Sequence, residues 1–392
     1  YPQIAANAAA HVGSLGCASA ASAPRDRPDC GAAVRGSGPY GFVDDQGRQF
    51  SGTLRHTAPK ESLRSRHRFI TTAAVHLAVT LNVQQVPSEG DQVRASRAVS
   101  SPGGGYIVAA GARAQEVATF LASPLGTGPN SHSIRRSQLS AGIETYETAL
   151  VGDIGVAVTM VEEDGKMAQV VAPGVEAESS QELLERVPVE PGDVVHVSGA
   201  DLVSEAGAQS IITWLKSLPE GVTLVVAASP AVALVSTEVW LEVLGLADIV
   251  TMNIREAAVF TLNLKPHTTG EWFQGVLRPT ASIVRRMGPL GCEVIEDCGT
   301  RVTAIPAFTA TPVDTTGVGD IHVAVMCASL LAGNTLVQAC LRANAAATVE
   351  INHSTAFPVP TLEDVDALIE AGHHDIVPTR ATPPVVGMMD AE

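Results

Sequence analysis

Short apolar runs alternate with amphipathic stretches along most of this chain. Runs typical of buried strands are found at residues 155–161, 193–198, 222–227, 249–252, 282–286 and 292–295. Between several of them, apolar residues recur at helical spacing, at residues 180–186, 204–218, 238–246 and 255–261. This alternation predicts an α/β fold with a largely parallel sheet, helices on both faces, and a ligand site beyond the carboxyl ends of the strands.

The two ends of the chain have a different character. Residues 1–66 mix Ala, Ser, Gly, Pro and Arg with almost no periodicity, which predicts a flexible or weakly ordered extension. A β-rich run begins at Phe69, so the folded domain is expected over residues 67–375, with a tail at 376–392. Closely spaced strands without intervening helices, within about 68–100 and 150–172, predict a small β lid.

Composition narrows the class of protein and of partner. Hydrophobic residues make up 45% of the 392 residues and charged residues 17%, which is enough apolar material for a large core. The formal net charge of −16 argues against nucleic acid or anionic lipid as a partner. No apolar run approaches the roughly 20 residues of a membrane helix, and the first residues lack a secretory pattern. We therefore expect a soluble, cytoplasmic protein, whose six scattered cysteines are reduced thiols.

The segment 311–333 carries the clearest chemical signal. It predicts a loop, a glycine-bearing turn and a helix that ends near Gly333. Unpaired N–H groups at a helix N-terminus favour phosphate oxygens, and Gly317 and Gly319 let the backbone approach them closely. Asp320 could then take a proton from a hydroxyl that attacks a γ-phosphorus. From spacing alone, a capped turn in which Asp320 only complements the helix dipole fits equally well.

Five short motifs follow one another in order along the chain. They are Ser-Pro-Gly-Gly-Gly at 101–105, Asn-Ile-Arg-Glu at 253–256, Arg-Met-Gly-Pro-Leu-Gly at 286–291, Asp-Thr-Thr-Gly-Val-Gly-Asp at 314–320 and Arg-Ala-Asn-Ala-Ala-Ala-Thr-Val at 342–349. In this order they resemble the di-glycine, N-x-x-E, T/R-x-G-x-x-G, D-T-x-G-A-G-D and A-N-A-A-A-A motifs of the PfkB, or ribokinase-like, carbohydrate kinases. The resemblance covers about residues 68–370. It implies a Rossmann-like sheet with a small β lid, through which relatives often pair as homodimers.

The resemblance also implies an activity and a set of site residues. The activity is transfer of the γ-phosphoryl group of ATP, with Mg²⁺, to a hydroxyl of a sugar or nucleoside-like molecule. Asp320 would be the general base, and an anion hole would be formed by Gly317, Val318 and Gly319. Asn253 and Glu256 would organise Mg²⁺, with Glu256 acting through water. The nucleotide pocket would be shaped by Arg286, Gly288, Gly291, Asn344 and Ala347. The substrate would contact Gly103, Gly104 and Gly105, and a monovalent cation such as K⁺ would be held by Asp314 and Thr316.

Some of these residues have a purely structural alternative. Asn253 could cap a helix with Glu256 at the third position, and Asn344 could serve packing. His322 could pack or cap, and Tyr106 could either stack on an acceptor ring or remain half-buried. The pair His373–His374 is too little for a metal site.

The acceptor half departs from the family pattern. Sugar-binding members usually carry Asp where this chain has Ala78 and Asn where it has His76, and Ile107 stands at another Asn position. At 131–132, Ser-His replaces the commoner Gly-Asp, so His76 and His132 could be replacement contacts or structural residues. Each lost hydrogen bond is worth about 0.5–1.5 kcal/mol. Three explanations remain: an unusual acceptor, reduced activity, or a binding protein that acts through protein contacts.

Overall fold

The computed structural model describes residues 42–43, 49–50, 63–162, 166–312, 315–352, 359–372 and 377–379. The chain divides into two compact units, Tyr1–Ala58 and Pro59–Glu392. In the first unit, β1 (Phe42–Val43) and β2 (Gln49–Phe50) pair antiparallel. Most of the predicted extension at 1–66 and tail at 376–392 lies outside the described residues, so their predicted weak order stays a prediction.

The second unit contains the regular elements of the predicted kinase domain. Its strands are β3 (Arg68–Thr71), β4 (Val75–Val83), β5 (Arg97–Gly104), β6 (Ala118–Leu121), β7 (Glu144–Thr145), β8 (Val156–Glu162), β9 (Met167–Ala172), β10 (Val194–Ser198), β11 (Thr223–Ala227), β12 (Ile249–Asn253), β13 (Ser282–Arg286), β14 (Cys292–Glu296), β15 (Arg301–Ile305) and β16 (Val377–Thr379). Its α-helices are α1 (Gly105–Ala114), α2 (Pro129–Ala141), α3 (Gln181–Leu184), α4 (Glu205–Lys216), α5 (Thr237–Leu246), α6 (Ile254–Leu264), α7 (Val318–Leu331), α8 (Leu336–Ile351) and α9 (Leu362–Ala371).

The large sheet has the strand order β16-β15-β14-β13-β12-β11-β10-β3-β6-β7. The seven strands from β13 to β7 are parallel, and β14, β15 and β16 add antiparallel strands at one edge. The central strands are apolar on both faces because helices cover both of them. In β10, for example, Val194 packs on one face of the sheet and Val195 on the other.

Two helical layers enclose this sheet. Side chains of α4, α5 and α6 cover one face, with Trp240 and Phe260 in edge-to-face contact at 4.7 Å. Helices α1, α7 and α8 cover the other face with small residues such as Ala112, Ala324 and Ala343. Among the described residues, no helix is both long and apolar enough to cross a membrane.

The second sheet has the strand order β5-β4-β8-β9. The chain enters it directly from the large sheet, through residues 72–74 between β3 and β4. Every backbone N–H from Thr72 to Val75 in this connection is bonded. The acceptors are the His196 carbonyl at 3.0 Å, Thr71 Oγ1 at 3.1 Å, Asp201 Oδ1 at 2.9 Å and Ser123 Oγ at 3.0 Å.

The predicted strands agree closely with this structure. All six lie within one residue of the observed ends, and the four predicted helices lie within three. The β-rich run at Phe69 proves to be two strands in different sheets, β3 and β4. The elements that were not predicted include α1, α2, α9, β6, β7 and β15. Helix α1 is Ala- and Gly-rich and buried over its first eight residues, and α2 is Ser-rich, so neither shows a clear amphipathic period.

Candidate active site

The turn before α7 begins the helix at a glycine. Gly317 occupies the N-cap position with φ of 76°, a left-handed conformation that favours glycine. Its carbonyl accepts the Ile321 N–H at 2.9 Å, while the N–H groups of Val318, Gly319 and Asp320 lie in the first turn, where no helical carbonyl precedes them. At the other end, Gly333 (φ 86°) follows the helix as predicted. The glycine-bearing turn and helix predicted for this segment are therefore present, and its phosphate-binding role stays a prediction.

Three charged side chains meet beneath this helix start. Arg286 Nη2 donates to Glu256 Oε2 at 3.1 Å, and both side chains are largely buried. Burial raises the pKa of Asp320 to about 6; the positive charge of Arg286 opposes the rise and the negative charge of Glu256 adds to it. Asp320 itself is half-buried at the surface of the unit. A carboxyl with this pKa is ionised, and so able to accept a proton, at neutral pH.

Gly319 lies against the end of the Arg286 side chain. A Cβ at residue 319 would lie 2.5 Å from Arg286 Nη1, inside van der Waals contact. The guanidinium therefore lies directly against the backbone of the helix start. The predicted role of Arg286 was to shape the nucleotide pocket; in the structure its contacts are with the α7 turn and Glu256.

Asn253 and Glu256 form a complete capping box at the start of α6. Asn253 Oδ1 accepts the Glu256 N–H at 2.9 Å, and Glu256 Oε2 accepts the Asn253 N–H at 2.7 Å. Glu256 Oε1 also accepts from Asn253 Nδ2 at 2.8 Å. The structural alternative considered from the sequence is thus present. It brings both side chains to the carboxyl end of β12, beside Arg286.

A polar floor lies below these groups, on the sheet. His196 Nδ1 is 2.9 Å from Thr71 Oγ1, and burial lowers the pKa of His196 to about 3, with Arg286 lowering it further. Three buried atoms at this site have no hydrogen-bond partner among the described residues: His196 Nε2, Thr251 Oγ1 and Arg286 Nε. Sequence analysis did not single out His196 or Thr251, because each stands inside an apolar strand.

The predicted nucleotide segments surround the same end of the sheet. Gly288 and Gly291 lie in the turn between β13 and β14. Asn344 is buried, and its Nδ2 donates to the carbonyls of Ile305 at 3.0 Å and Pro306 at 3.2 Å. Its Oδ1 lies 3.2 Å from His322 Nε2, so the side chain is engaged within the fold. Ala347 lies about one helical turn further along α8 and is half-buried.

The predicted substrate segment lies at the end of β5 and the start of α1. The imidazole of His76 packs against Gly103 and Gly104, where a Cβ would lie 2.8 Å from its ring atoms. Burial lowers the pKa of His76, and Glu176 opposes that effect. Gly105 donates its N–H to the Ala74 carbonyl at 2.9 Å. The structure therefore brings His76 to the glycines rather than leaving it remote from them.

The other sequence candidates separate into core and surface residues. Ile107 is buried in a core cluster with Phe308 and Ile321, not in the cleft. Tyr106 is more buried than expected, and its hydroxyl donates to the Ser137 carbonyl at 3.3 Å. His132 is exposed on α2. Ala78 is half-buried on β4, opposite Ser101 of β5.

Asp201 is a buried carboxylate that the sequence analysis did not single out. It lies just after β10 and accepts from Thr72 Oγ1 at 3.0 Å, Ala74 N at 2.9 Å and Ser198 N at 3.2 Å. Burial raises the pKa of Asp201 to about 7 even though all three hydrogen bonds lower it. Its signal was present in the capping-box pattern Ser-Gly-Ala-Asp at 198–201, directly after an apolar strand.

The predicted cation residues are only partly described. Thr316 lies exposed in the turn before α7, whereas Asp314 and the pair His373–His374 fall outside the described residues. In the ranges that the structure describes, no cluster of three or more His, Cys, Asp or Glu side chains could hold a metal ion. A metal here would need ligands from nucleotide phosphates or water.

Comparison with known proteins decides the family. The sequence profile of the pfkB family carbohydrate kinase matches residues 73–362, about three quarters of the chain. The chain belongs to this family. Its pfkB motifs fall on the α6, α7 and α8 positions described above, and membership makes it a phosphotransferase that acts on a hydroxyl group.

This pfkB protein is also similar to individual sugar kinases. An uncharacterised sugar kinase of Escherichia coli K12, YegV, is 26% identical over 320 residues, which are 80% of this chain and 98% of YegV. Ribokinase of Thermotoga maritima superposes with a TM-score of 0.67 at 17% identity, covering 78% of this chain and 99% of the ribokinase. Arabidopsis thaliana ribokinase, solved with ribose and ATP, superposes with a TM-score of 0.59 at 18% identity. The match covers 78% of this chain and 99% of that ribokinase. The predicted ribokinase-like fold with a small second sheet is confirmed.

Proposed function

We propose that this pfkB kinase transfers the γ-phosphoryl group of ATP to a hydroxyl of a sugar or sugar-like acceptor, with Asp320 as the general base. The observation that carries the proposal is the position of Asp320 in the first turn of α7, next to the buried Arg286–Glu256 pair. A carboxylate in the first turn of a helix complements the helix dipole, but it also repels a bound phosphate, so a phosphate site would disfavour Asp320 unless the side chain had a further task. Proton removal from the attacking hydroxyl gives it a task at that point.

The remaining residues have complementary tasks in this proposal. The N–H groups of Val318 and Gly319 and the turn at Gly317 would receive the negative charge that develops on the transferred group. ATP would lie across the Gly288–Gly291 turn toward α8, with its adenine beside Ala347. Asn344 and His322 would hold this side of the nucleotide pocket in place.

Glu256 and Asn253 fit a role in holding Mg²⁺ through water. Both oxygens of Glu256 already accept hydrogen bonds, so the carboxylate is suited to a hydrated ion rather than to direct ligation. The ion would neutralise charge on the nucleotide phosphates. A monovalent cation at Asp314 and Thr316 stays a prediction.

The first experiment measures ADP release from MgATP with pentoses, hexoses and nucleosides as acceptors. We expect turnover that depends on a sugar acceptor and exceeds the background hydrolysis of ATP. ATP binding without turnover on any acceptor would overturn the proposal and favour a binding protein.

The pH dependence of the reaction tests the base directly. Asp320 must be ionised to accept a proton, so kcat should rise with pH through the pKa of about 6 and level off above pH 7. The measurement is kcat at saturating substrates between pH 5 and 8. A flat profile over that range would contradict Asp320 as the base.

The proposal includes a homodimer formed through the second sheet. On one face of that sheet, cross-strand partners are apolar and outside the hydrophobic core clusters: Leu77, Val79, Leu81, Val156, Val158, Met160 and Val170. The opposite face carries His76 and Ala78, which the family pattern turns toward the acceptor. An apolar sheet face directed away from the cleft is suited to a second copy of the same sheet.

Val79→Asp should convert the dimer to a monomer, because it buries an unpaired carboxylate at the centre of the proposed interface. Thr80→Asp is the matched control, since Thr80 lies next to it on the opposite face. The measurement is molar mass by light scattering at several concentrations. A monomeric wild-type protein, or an unchanged mass in Val79→Asp, would rule out this interface.

A further inference from the structure

A cavity of about 810 Å³ lies at the β7 edge of the large sheet. Its walls are the second half of α2, the β6–β7 edge and the chain after α3. Six of its lining residues carry polar groups that the argument uses: Arg135, Gln138, Glu144, Tyr146, Glu147 and Arg186. None of them belongs to the kinase site.

The cavity is remote from the proposed chemistry. The sheet order places β7 five strand positions from β12, which carries Asn253. At about 4.8 Å per position, this separation is about 24 Å. A ligand in the cavity would therefore lie far from Asn253 and from the nucleotide segments beyond it, and no described residue of the α7 turn lines the cavity.

Two buried side chains in its wall have unused hydrogen-bonding groups. Gln138 is fully buried, and neither Oε1 nor Nε2 has a partner in the described ranges. The hydroxyl of Tyr146 is likewise buried and unpartnered, beneath an edge-to-face contact with Phe120 at 5.6 Å. Buried amides and hydroxyls are almost always satisfied in folded proteins. Three unused atoms on one wall therefore indicate a missing polar partner.

The cavity is lined by charges of both signs, two arginines and two glutamates. Arg135 lies one turn before Gln138 on α2, and it forms no ion pair with the residues that the structure describes. Arg186 lies two residues after α3 and pairs with Glu182 of that helix at 2.5 Å. Burial raises the pKa of Tyr146, and the positive charge of Arg186 opposes that rise. Glu144 and Glu147 add carboxylates that suit hydroxyl donors.

We propose that this cavity binds a small phosphorylated polyol. Its phosphate would pair with Arg135 and Arg186, since guanidinium groups bind phosphate in bidentate fashion. Its hydroxyls, which both donate and accept, would donate to Glu147. They would complete the hydrogen bonds of Gln138 and Tyr146 once the side chains that now cover these two groups move aside. A nucleobase is less suitable, because the rings of Phe120 and Tyr146 are buried and offer no open face for stacking. The inference rests on the cavity alone and does not require the proposed reaction.

Calorimetric titration of the full chain with ribose 5-phosphate tests the site. Saturating Mg²⁺ and a non-hydrolysable ATP analogue are included, so that the analogue's γ-phosphate blocks product-like binding at Asp320. We expect one site, at least tenfold weaker binding of ribose and of inorganic phosphate, and at least a tenfold loss of ribose 5-phosphate affinity in Arg135→Gln and Gln138→Leu. The exposed neighbour Arg136→Gln is the matched control and should bind as wild type.

Folding of the variants is checked by thermal unfolding. Gln138→Leu removes two unsatisfied buried atoms at similar volume, so its melting temperature should be equal to or above that of the wild type. Absence of binding in the wild type, or equal losses in Arg136→Gln, would overturn the site. Inorganic phosphate that binds as tightly as ribose 5-phosphate would reduce it to a simple anion site and overturn the polyol assignment.

Discussion

Asp320→Asn should reduce kcat by about 10²–10⁴-fold, the usual contribution of a general base. The substitution keeps the size and most contacts of the side chain but removes its ability to take a proton. Binding of MgATP, measured by calorimetry, should change little, because the backbone of the α7 turn is unaltered. Asp297→Asn, at an exposed turn before β15, is the control.

The same variant should be more stable than the wild type. The carboxyl has a pKa of about 6 in the folded protein and an ordinary value of 3.8, so the unfolded state ionises first and folding stability falls as pH rises between these values. Above pH 6 the ionised carboxyl lowers the free energy of unfolding by its full amount, about 3 kcal/mol from the pKa difference. Substitution by Asn removes this loss of stability. Urea unfolding at pH 7.5 measures this gain. An inactive variant that is also less stable would indicate structural damage and contradict the assignment.

Arg286→Met should have the second largest effect, on stability and on pH dependence together. It leaves the buried Glu256 carboxylate without its cation, which costs about 3–5 kcal/mol for a buried pair. Because the guanidinium holds down the pKa of Asp320, its loss should move the rising limb of the kcat profile to higher pH. Urea unfolding and the pH profile of kcat are the two measurements.

A double variant separates the two effects of Arg286. In Arg286→Met/Glu256→Gln the unpaired charge is gone, so much of the lost stability should return. The rising limb of the kcat–pH profile should also move back toward its wild-type position. Glu256 raises the pKa of Asp320, and the substitution Glu256→Gln removes that effect. If Arg286→Met leaves the limb at its wild-type pH while the protein remains folded, Arg286 does not act on Asp320.

The order of the elements was predictable because burial on both faces of the sheet favours apolar residues along the central strands. The runs at β10, β11 and β12 are apolar at nearly every position, which is distinctive of central parallel strands. Helix α2 was not predictable in the same way. Of its thirteen residues only Ser131, Ile134 and Gln138 are buried, and two of these three are polar. A helix that packs on so little apolar surface resembles a loop in sequence.

The site was predictable as far as backbone motifs determine it. The turn at 317–320 depends on glycines whose spacing is visible in the sequence. What the side chains contact depends on long-range packing, so it was not visible. Asn344 bonds to carbonyls 38 and 39 residues earlier, and Arg286 crosses to a carboxylate 30 residues earlier. His196 and Asp201 gain their altered pKa values from burial, which no local pattern records.

The bonded connection between the two sheets has a mechanical consequence. Each N–H from Thr72 to Val75 donates to a separate partner. We therefore expect the start of β4 to keep a fixed orientation and not to act as a hinge. Displacement must then accumulate by bending and twisting along the strand, and it is greatest near Val83, about 27 Å from Val75 at the usual rise per residue. We therefore expect movement of the second sheet to depend on bending and twisting of its four strands more than on rotation at residues 72–75.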